Sequence, residues 1–319
     1  MINTMFMDKM APGILRLSVM DNDIDLFEGQ YPVPDGVSYN SYLIEDEQLC
    51  LLDTVDARKQ DEWLGGLNEA LDGRKLDYLV ISHMEPDHAG SIAALCACQP
   101  QVKLVANAKT FVMLDQFTGE HPLVQERITV GEGGTLALGS HTLHFVLAPM
   151  VHWPEVMVAY EDSQKVLFSA DGFGNFGSLT YTDAWADEAR RYYCNIVGKY
   201  GVQVQGLLKK AAALDIQTVC PLHGPQLSGD ALTRALALYS LWAAWKPEES
   251  GVLVAYAGFH GHTAEAAKLL AEKLHALGET VEVIDLNRVH KSYAVASAFK
   301  FDRMALCAAT YDGAYAPAM

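Results

Sequence analysis

The segment "HMEPDH", residues 83–88, places two imidazoles and two carboxylates within six positions, directly after an apolar run. Imidazoles and carboxylates together are typical ligands of iron, manganese and zinc. A single histidine or acidic turn has ordinary structural explanations. Four such groups at the end of a buried strand favour a metal site instead.

Three further predicted strands are also followed by a residue that can bind a metal. They are residues 141–149 before His152, residues 165–170 before Asp171, and residues 216–221 before His223. Strands that end on one edge of a sandwich bring distant residues together, so we expect a single site. Its predicted ligands are His83, Glu85, Asp87, His88, His152, Asp171 and His223.

This ligand set suits two metal ions that share one carboxylate. Each ion then takes about three further protein groups and keeps an open position for a substrate, which is the mark of a catalytic site. The set contains no thiolate, so iron, manganese and zinc remain. Glu85 favours iron, because an anionic oxygen ligand in place of an imidazole stabilises ferric ions.

The elements around these residues change character once along the chain. Short β runs with a few helices, best at residues 187–200 and 229–245, extend to about residue 250, where "KPEESG" (246–251) predicts a linker. Strand and helix then alternate at residues 252–258, 263–278, 280–286 and 303–310. This alternation predicts a parallel, doubly wound sheet. It supplies three strands where a flavodoxin-like sheet has five, so we expect an incomplete sheet.

Composition excludes several classes of function. The formal net charge of −17 is unfavourable for a nucleic-acid or anionic membrane surface. No run approaches the roughly 18 apolar residues of a membrane helix. The six cysteines form no CxxC pair, which excludes a rubredoxin-type iron site or zinc ribbon in this chain. Scattered cysteines of this kind are typical of reduced thiols, and we expect a cytoplasmic protein.

The ligand pattern resembles that of the flavodiiron proteins. Their pattern is HxExDH, a histidine, an aspartate eighteen residues further on, and a distant histidine; eighteen residues also separate His152 from Asp171 here. The segments "SYNSYLI", "HWP", "FSADGFG" and "HGP" are similar to the flanking segments of that family. The resemblance implies an α/β chain: a metallo-β-lactamase-like αββα sandwich with a diiron centre over residues 1–248, then a flavodoxin-like FMN-binding domain over residues 251–319.

The resemblance also implies a role for each ligand. The first iron takes His83, Glu85 and His152, and the second takes Asp87, His88 and His223, with Asp171 as the bridge. Catalytic roles are implied for Asp171, Glu85 and Tyr200, the last by a tyrosine near the substrate pocket of some relatives. Many relatives carry a pocket histidine in an "FHG" segment. The matching triplet in this chain is Phe27-Glu28-Gly29.

Two segments of the second half resemble flavin-binding loops. The segment at residues 256–267 follows a strand and opens a helix, so its backbone N–H groups suit the FMN phosphate. The segment at residues 309–319 resembles the loop that wraps the flavin ring. The residues expected to bind FMN are Gly258, Phe259, His260, Gly261, His262, Thr263, Thr310, Tyr311, Asp312 and Gly313.

The function implied by the resemblance is reduction of O2 to water, of NO to N2O, or both, with electrons delivered through FMN. A rubredoxin-like or flavin reductase donor and a head-to-tail homodimer are expected as partners. One alternative is a zinc hydrolase of the metallo-β-lactamase superfamily that cleaves thioesters, lactams or phosphodiesters. Another is a chain that holds iron but has no flavin supply. Glu85 and the flavodoxin-like half favour the oxidoreductase.

Overall fold

Two β-sheets form the larger part of the structure, a computed structural model that describes residues 4–319. The first sheet has seven strands, in the spatial order Met5–Ala11, Ile14–Asp21, Val37–Ile44, Cys50–Leu52, Tyr78–Val80, Lys103–Ala106 and Arg127–Thr129. The second has six strands, in the order Thr135–Ala137, Thr142–Leu147, Met157–Glu161, Val166–Phe168, Thr218–Cys220 and Leu227–Ser228. A separate ribbon pairs Leu26–Phe27 with Tyr31–Pro32.

The two sheets share one hydrophobic core, and polar contacts cross it near the metal-binding residues. The rings of Tyr42 and Phe168, one from each sheet, lie 5.1 Å apart. The Tyr42 hydroxyl donates to the Pro221 carbonyl at 2.6 Å, and the Asn40 N–H donates to the Leu222 carbonyl at 2.8 Å. These bonds fix the distance between the sheets at the segment that leads to His223.

Helices pack against the sheets away from this core. Trp63 donates from Nε1 to the Ser41 hydroxyl at 2.7 Å, on the face of the strand opposite to Tyr42. The architecture is therefore the predicted αββα sandwich. Its helices are Gln60–Leu71, Pro86–Ala89, Ile92–Cys98, Ala108–Thr118, Trp185–Tyr192, Gly201–Ala211 and Gly229–Ala243. Within residues 4–319, no helix combines the length and apolar character needed to cross a bilayer.

The strands predicted to precede metal ligands are all present, although shorter than expected. They are Tyr78–Val80, Thr142–Leu147, Val166–Phe168 and Thr218–Cys220. Val166–Phe168 and Thr218–Cys220 pair in parallel, so the loops that follow them leave the sheet at the same edge. The Met157 N–H donates to the Ser82 carbonyl at 3.1 Å and joins the first sheet to the second at that edge.

The prediction of a single helix at residues 187–200 is wrong. The chain is α-helical over Trp185–Tyr192, π-helical over Tyr193–Val197 and 3-10 helical over Gly198–Tyr200. Inside the π-helical turn, Asn195 Nδ2 donates to the backbone carbonyl of Arg191 at 2.8 Å. A side chain that bonds to a nearby carbonyl competes with regular helical hydrogen bonds, which accounts for the local change of pitch.

The second half forms a parallel sheet with helices on both faces, as predicted. Its strands, in spatial order, are Val281–Asp285, Glu249–Ala257 and Phe301–Ala308. In the central strand, Val254 packs toward the helix His262–Ala276, while Leu253 packs toward the helix Lys291–Lys300. Alternate residues of the strand therefore bury opposite faces of the sheet.

Two features of this half differ from the prediction. The central strand begins at Glu249, inside the segment predicted as a linker, because Glu249 already pairs with Phe301 of the neighbouring strand. The helix Lys291–Lys300 was not predicted. After the last strand of the sheet, a short hairpin pairs Thr310–Tyr311 with Ala314–Tyr315.

Arg191 connects the two halves. Its guanidinium lies 4.5 Å from the ring centroid of Phe176 on one side and 4.5 Å from that of Tyr293 on the other. Nε and Nη2 donate to the Glu188 carboxylate, and Nη1 donates to the Ser292 hydroxyl at 3.3 Å. A residue of the sandwich thus holds the helix Lys291–Lys300 through stacking and hydrogen bonds at once.

We expect R191M to lower the free energy of unfolding by about 2–4 kcal/mol, because it removes both stacking contacts and leaves the Glu188 carboxylate without its partner. Urea denaturation followed by circular dichroism measures the loss. R303M is the matched control, since Arg303 makes a two-pronged contact with Glu279 at the surface. Equal losses in the two variants would contradict a special role for Arg191.

Candidate metal centre

The "HMEPDH" segment is positioned by a buried carboxylate and a short helix. After the strand Tyr78–Val80, Asp53 Oδ1 accepts the backbone N–H groups of Ser82 at 2.7 Å and of His83 at 3.4 Å. The helix Pro86–Ala89 then begins with proline at its first position, where a missing N–H has no cost. The chain therefore turns sharply and presents its polar side chains to the space between the sheets.

His223 is fixed by two hydrogen bonds to a strand of the first sheet. Its Nδ1 lies 2.7 Å from the Ser38 carbonyl oxygen, and the Gly224 N–H donates to the Ser38 hydroxyl at 2.7 Å. Gly224 has φ +82°, and a Cβ atom there would lie 1.9 Å from Asn175 Oδ1. Only glycine fits this position, which explains the glycine of the "HGP" segment.

One group of ligand atoms comes from His83, Glu85, His152 and Asp171. These atoms all lie within 4.8 Å of one another. Glu85 Oε2 is 3.2 Å from His83 Nε2 and 3.0 Å from His152 Nε2. The group therefore combines two imidazole nitrogens with two carboxylate oxygens around one small space.

A second group comes from Asp87, His88 and His223. The two imidazole Nε2 atoms are 3.1 Å apart. Asp87 Oδ2 lies 3.3 Å from His88 Nε2 and 3.2 Å from His223 Nε2. The geometry again places three ligand atoms around a common point.

The Asp171 carboxylate lies between the two groups. Its Oδ2 is 3.0 Å from His152 Nε2 and 3.5 Å from His83 Nε2. Its Oδ1 is 3.0 Å from His88 Nε2 and 3.8 Å from His223 Nε2. Each oxygen thus faces a different group, which is the arrangement that a carboxylate adopts when it bridges two metal ions.

The hydrogen bonds within the cluster do not satisfy all of its buried ligand atoms, and a pair of cations would satisfy them. All seven residues are less than 10% exposed. Within residues 4–319, Asp171 Oδ1 and both carboxylate oxygens of Asp87 are buried and have no hydrogen-bond partner. Buried polar atoms normally have partners, and a buried charge requires a compensating one. A metal ion in each group would supply that charge.

Without metals, the carboxylates hold protons on the imidazoles. Burial opposes a charged His83, but the neighbouring Asp171, Glu155 and Glu85 outweigh it and raise the pKa of His83 well above its ordinary value. For His152, burial is outweighed by Asp171 and Glu85, which raise its pKa to about 9. Protons therefore occupy positions that metal ions would take.

A cleft of about 430 Å³ opens beside the first group of ligands. Its lining includes Phe27, Glu28, Tyr39, Glu85 and Asp87. Glu28 and the next residue both have positive φ, and they form the tight turn of the small ribbon. The triplet that departs from the family's "FHG" therefore lies at the opening of the metal site.

The Glu28 carboxyl carries a proton near neutral pH. Burial and the neighbouring Glu85 carboxylate, which lines the same cleft, raise the pKa of Glu28 from 4.5 to about 8. Two carboxyl groups in contact favour one shared proton. This chain thus has a carboxylic acid, Glu28, at the position where the resemblance to the flavodiiron proteins implies a histidine.

Tyr192 lies beside the predicted ligands, although no sequence signal marked it. Its ring lies 5.6 Å from that of His223, and its buried hydroxyl has no hydrogen-bond partner among residues 4–319. Burial, and then the charge of Asp171, raise the pKa of its hydroxyl well above the ordinary value. The predicted Tyr200 lies at the end of the 3-10 turn, where its ring contacts Lys199. No sequence signal marks the change of helical pitch between them, and the role of Tyr200 stays a prediction.

The residues predicted to bind FMN lie in two segments beside each other, at the carboxyl ends of the strands Glu249–Ala257 and Phe301–Ala308. The rings of Phe259 and Tyr311 are 5.2 Å apart, and both are about half exposed. Gly258 allows the backbone to pass close to the Thr263 side chain, because a Cβ atom on residue 258 would lie only 2.8 Å from Thr263. The structure thus brings the two predicted flavin segments together, with an aromatic pair on the surface.

Comparison with known proteins agrees with this geometry. Residues 37–224, which include all seven ligands, match the family model described as "ODP family beta lactamase". The chain is 33% identical over 297 residues to the rubredoxin-oxygen oxidoreductase of Megalodesulfovibrio gigas, which covers 89% of this chain and 72% of the relative. It is 29% identical over 311 residues to the anaerobic nitric oxide reductase flavorubredoxin of Aliivibrio salmonicida, covering 93% of this chain and 61% of that protein.

A solved structure leads to the same conclusion. The flavodiiron protein from Giardia intestinalis superposes with a TM-score of 0.92 at 25% identity, over 98% of this chain and 78% of that chain. Fold and site together define a metallo-β-lactamase-like oxidoreductase with a dinuclear site and a flavodoxin-like sheet. The chain belongs to the flavodiiron protein family. The predicted family and fold class are confirmed.

We expect metal loading to release protons at pH 7, because His83 and His152 must lose theirs to bind a metal. Anaerobic addition of ferrous ion to the metal-free protein, with a pH indicator, measures the release. H152Q should release fewer protons. H144Q, outside the cluster, should match the wild type. Stoichiometric iron uptake without proton release would contradict the charge state described here.

We expect the metal-free protein to lose stability as the pH rises from 4.5 to about 8, because native Glu28 keeps a proton that the unfolded chain gives up. The stability term is fully present below pH 4.5 and is lost above the native pKa. E28Q removes this term, so its unfolding free energy should depend less on pH in that window. Urea titrations across the range measure it, and parallel curves for wild type and E28Q would refute the assignment.

Proposed function

We propose that this chain reduces O2 to water, NO to N2O, or both, at a diiron centre. The observation that carries the proposal is the position of Asp171, whose two oxygens face two separate groups of buried ligands. Relatives named as an oxygen oxidoreductase and as a nitric oxide reductase support the same chemistry.

The seven ligands divide between the two irons. One iron would be held by His83, Glu85 and His152, and the other by Asp87, His88 and His223, with Asp171 shared. When bound, the iron pair supplies electrons to the diatomic substrate. Glu85 would bring negative charge to the first iron and Asp171 to both, and this charge would favour ferric over ferrous iron.

The residues around the cleft would control the access of substrate and water to the metal site, and the delivery of protons to the substrate. Both proposed reductions consume protons as well as electrons. The Glu28 carboxyl carries a proton, contacts Glu85 and lines the cleft, so it is placed to deliver that proton to a substrate. The buried rings of Phe27 and Tyr192 pack on His223 and exclude water from it.

The second half would supply the electrons. We propose that residues 1–248 form the diiron domain and residues 251–319 the FMN-binding domain. The loop containing Gly258, Phe259, His260, Gly261, His262 and Thr263 would hold the phosphate at the start of a helix. Thr310, Tyr311, Asp312 and Gly313 would contact the flavin ring, which suits the exposed pair Phe259 and Tyr311.

The proposed partners follow from this division. A rubredoxin-like protein or a flavin reductase would reduce the flavin, in keeping with the name of the Megalodesulfovibrio gigas relative. A head-to-tail homodimer would place the flavin loops of one subunit beside the irons of its partner. We propose a cytoplasmic location, where the six free thiols would remain reduced.

The test uses D171N, in which a single amide oxygen cannot serve two metals. We expect wild type to bind two irons per chain, and D171N to lose iron together with O2 and NO consumption, by roughly 100-fold or more. Metal analysis and amperometric assays of both gases on the same iron-loaded sample provide the readouts. D115N, at a surface ion pair with Arg127, is the matched control and should retain both properties.

Two outcomes would refute the proposal. The first is full iron content and gas consumption in D171N or in E85A. The second is wild-type protein that binds zinc, hydrolyses thioesters, lactams or phosphodiesters, and consumes neither gas. The second outcome would support the hydrolase alternative.

A further inference from the structure

The His83 imidazole is held from behind by a carboxylate outside the predicted ligand set. Glu155 Oε1 lies 2.8 Å from His83 Nδ1 and accepts the Met84 backbone N–H at 2.9 Å. The side chains of Glu155 and His83 are fully buried. His83 Nε2 is on the other side of the ring, 3.2 Å from Glu85 and 3.5 Å from Asp171. With a metal on Nε2, the proton lies on Nδ1, and Glu155 accepts two N–H donors.

The imidazoles of the second ligand group have different neighbours. His223 Nδ1 donates to the uncharged Ser38 carbonyl at 2.7 Å. His88 Nδ1 has no hydrogen-bond partner within the described part of the chain. Asp53, another buried carboxylate near the cluster, accepts the Ser82 backbone N–H at 2.7 Å and is not bonded to an imidazole. The carboxylates behind the ligands are therefore unevenly distributed between the two groups.

We propose, on the basis of the diiron function above, that Glu155 is a positioning residue that sets the order in which the two irons are oxidised. An imidazole that donates to a carboxylate is a more basic ligand, and the added negative charge stabilises a ferric ion more than a ferrous one. The iron held by His83, Glu85 and His152 therefore gives up the first electron. In the half-oxidised pair, this iron is ferric and the other is ferrous.

The test is a redox titration of the full chain loaded with isotopically enriched iron. A chemical mediator accepts the electrons, and Mössbauer spectra of the half-oxidised protein resolve the ferric and ferrous ions. E155Q keeps a hydrogen-bond acceptor of similar size but removes its charge. We expect E155Q to shift the first oxidation potential upward and to change the spectrum of the ferric ion. The spectrum of the ferrous ion should stay as in wild type.

Two variants separate this effect from a general loss of packing. Glu161 is also fully buried and lies 3.0 Å from a histidine Nδ1, that of His141, outside the ligand groups. E161Q therefore makes the same chemical change elsewhere and should leave both potentials unchanged. E155D retains the charge at a greater distance, so its first potential should lie between those of wild type and E155Q.

The outcomes are distinguishable. An iron-loaded E155Q with an unchanged first potential, or with an altered ferrous spectrum, overturns the role of Glu155. If E155Q retains no iron, E155D is compared with wild type instead. Equal first oxidation potentials in these two proteins overturn the role of Glu155. A wild type without an iron pair refutes the proposed function itself.

Discussion

The buried Asp171 carboxylate is the constraint on which the rest of the structure depends. Its two oxygens face two groups of imidazoles and carboxylates in the space between the sheets. Charged groups lose their hydration there, and the loss is compensated only by opposite charges at short range. Protons on His83 and His152 provide part of that charge in the metal-free chain, and two metal ions would provide it more completely.

The sandwich meets this constraint by ending its strands at one edge and fixing the loops that follow. Val166–Phe168 and Thr218–Cys220 run in parallel, so the residues after them emerge together. Asp53 and Ser38 then hold the loops by accepting backbone and imidazole N–H groups. These contacts are hydrogen bonds, and they fix the backbone from which the metal-binding side chains project.

The aromatic rings that line the metal site pack directly against the residues that join the two halves of the chain. Phe27 packs against Phe176, and Phe176 packs against Tyr192. The Arg191 guanidinium stacks between Phe176 and Tyr293, which belongs to the second half. The second half is therefore seated on the same packed group of rings that borders the proposed iron site. This physical continuity favours a fixed spatial relation between the proposed FMN-binding segments and the sandwich.

The sequence by itself determined which seven residues are the candidate metal ligands and the order of the elements that carry them. Both follow from local information, namely side-chain chemistry at the ends of apolar runs and a change from short β runs to strand–helix alternation. Only the tertiary structure decided which oxygen of Asp171 faces which group, and that Tyr192 rather than Tyr200 lies beside the ligands. It alone revealed the contact between Glu155 and His83. These features depend on helical pitch and on pairs of residues distant in sequence, which packing selects and local patterns do not encode.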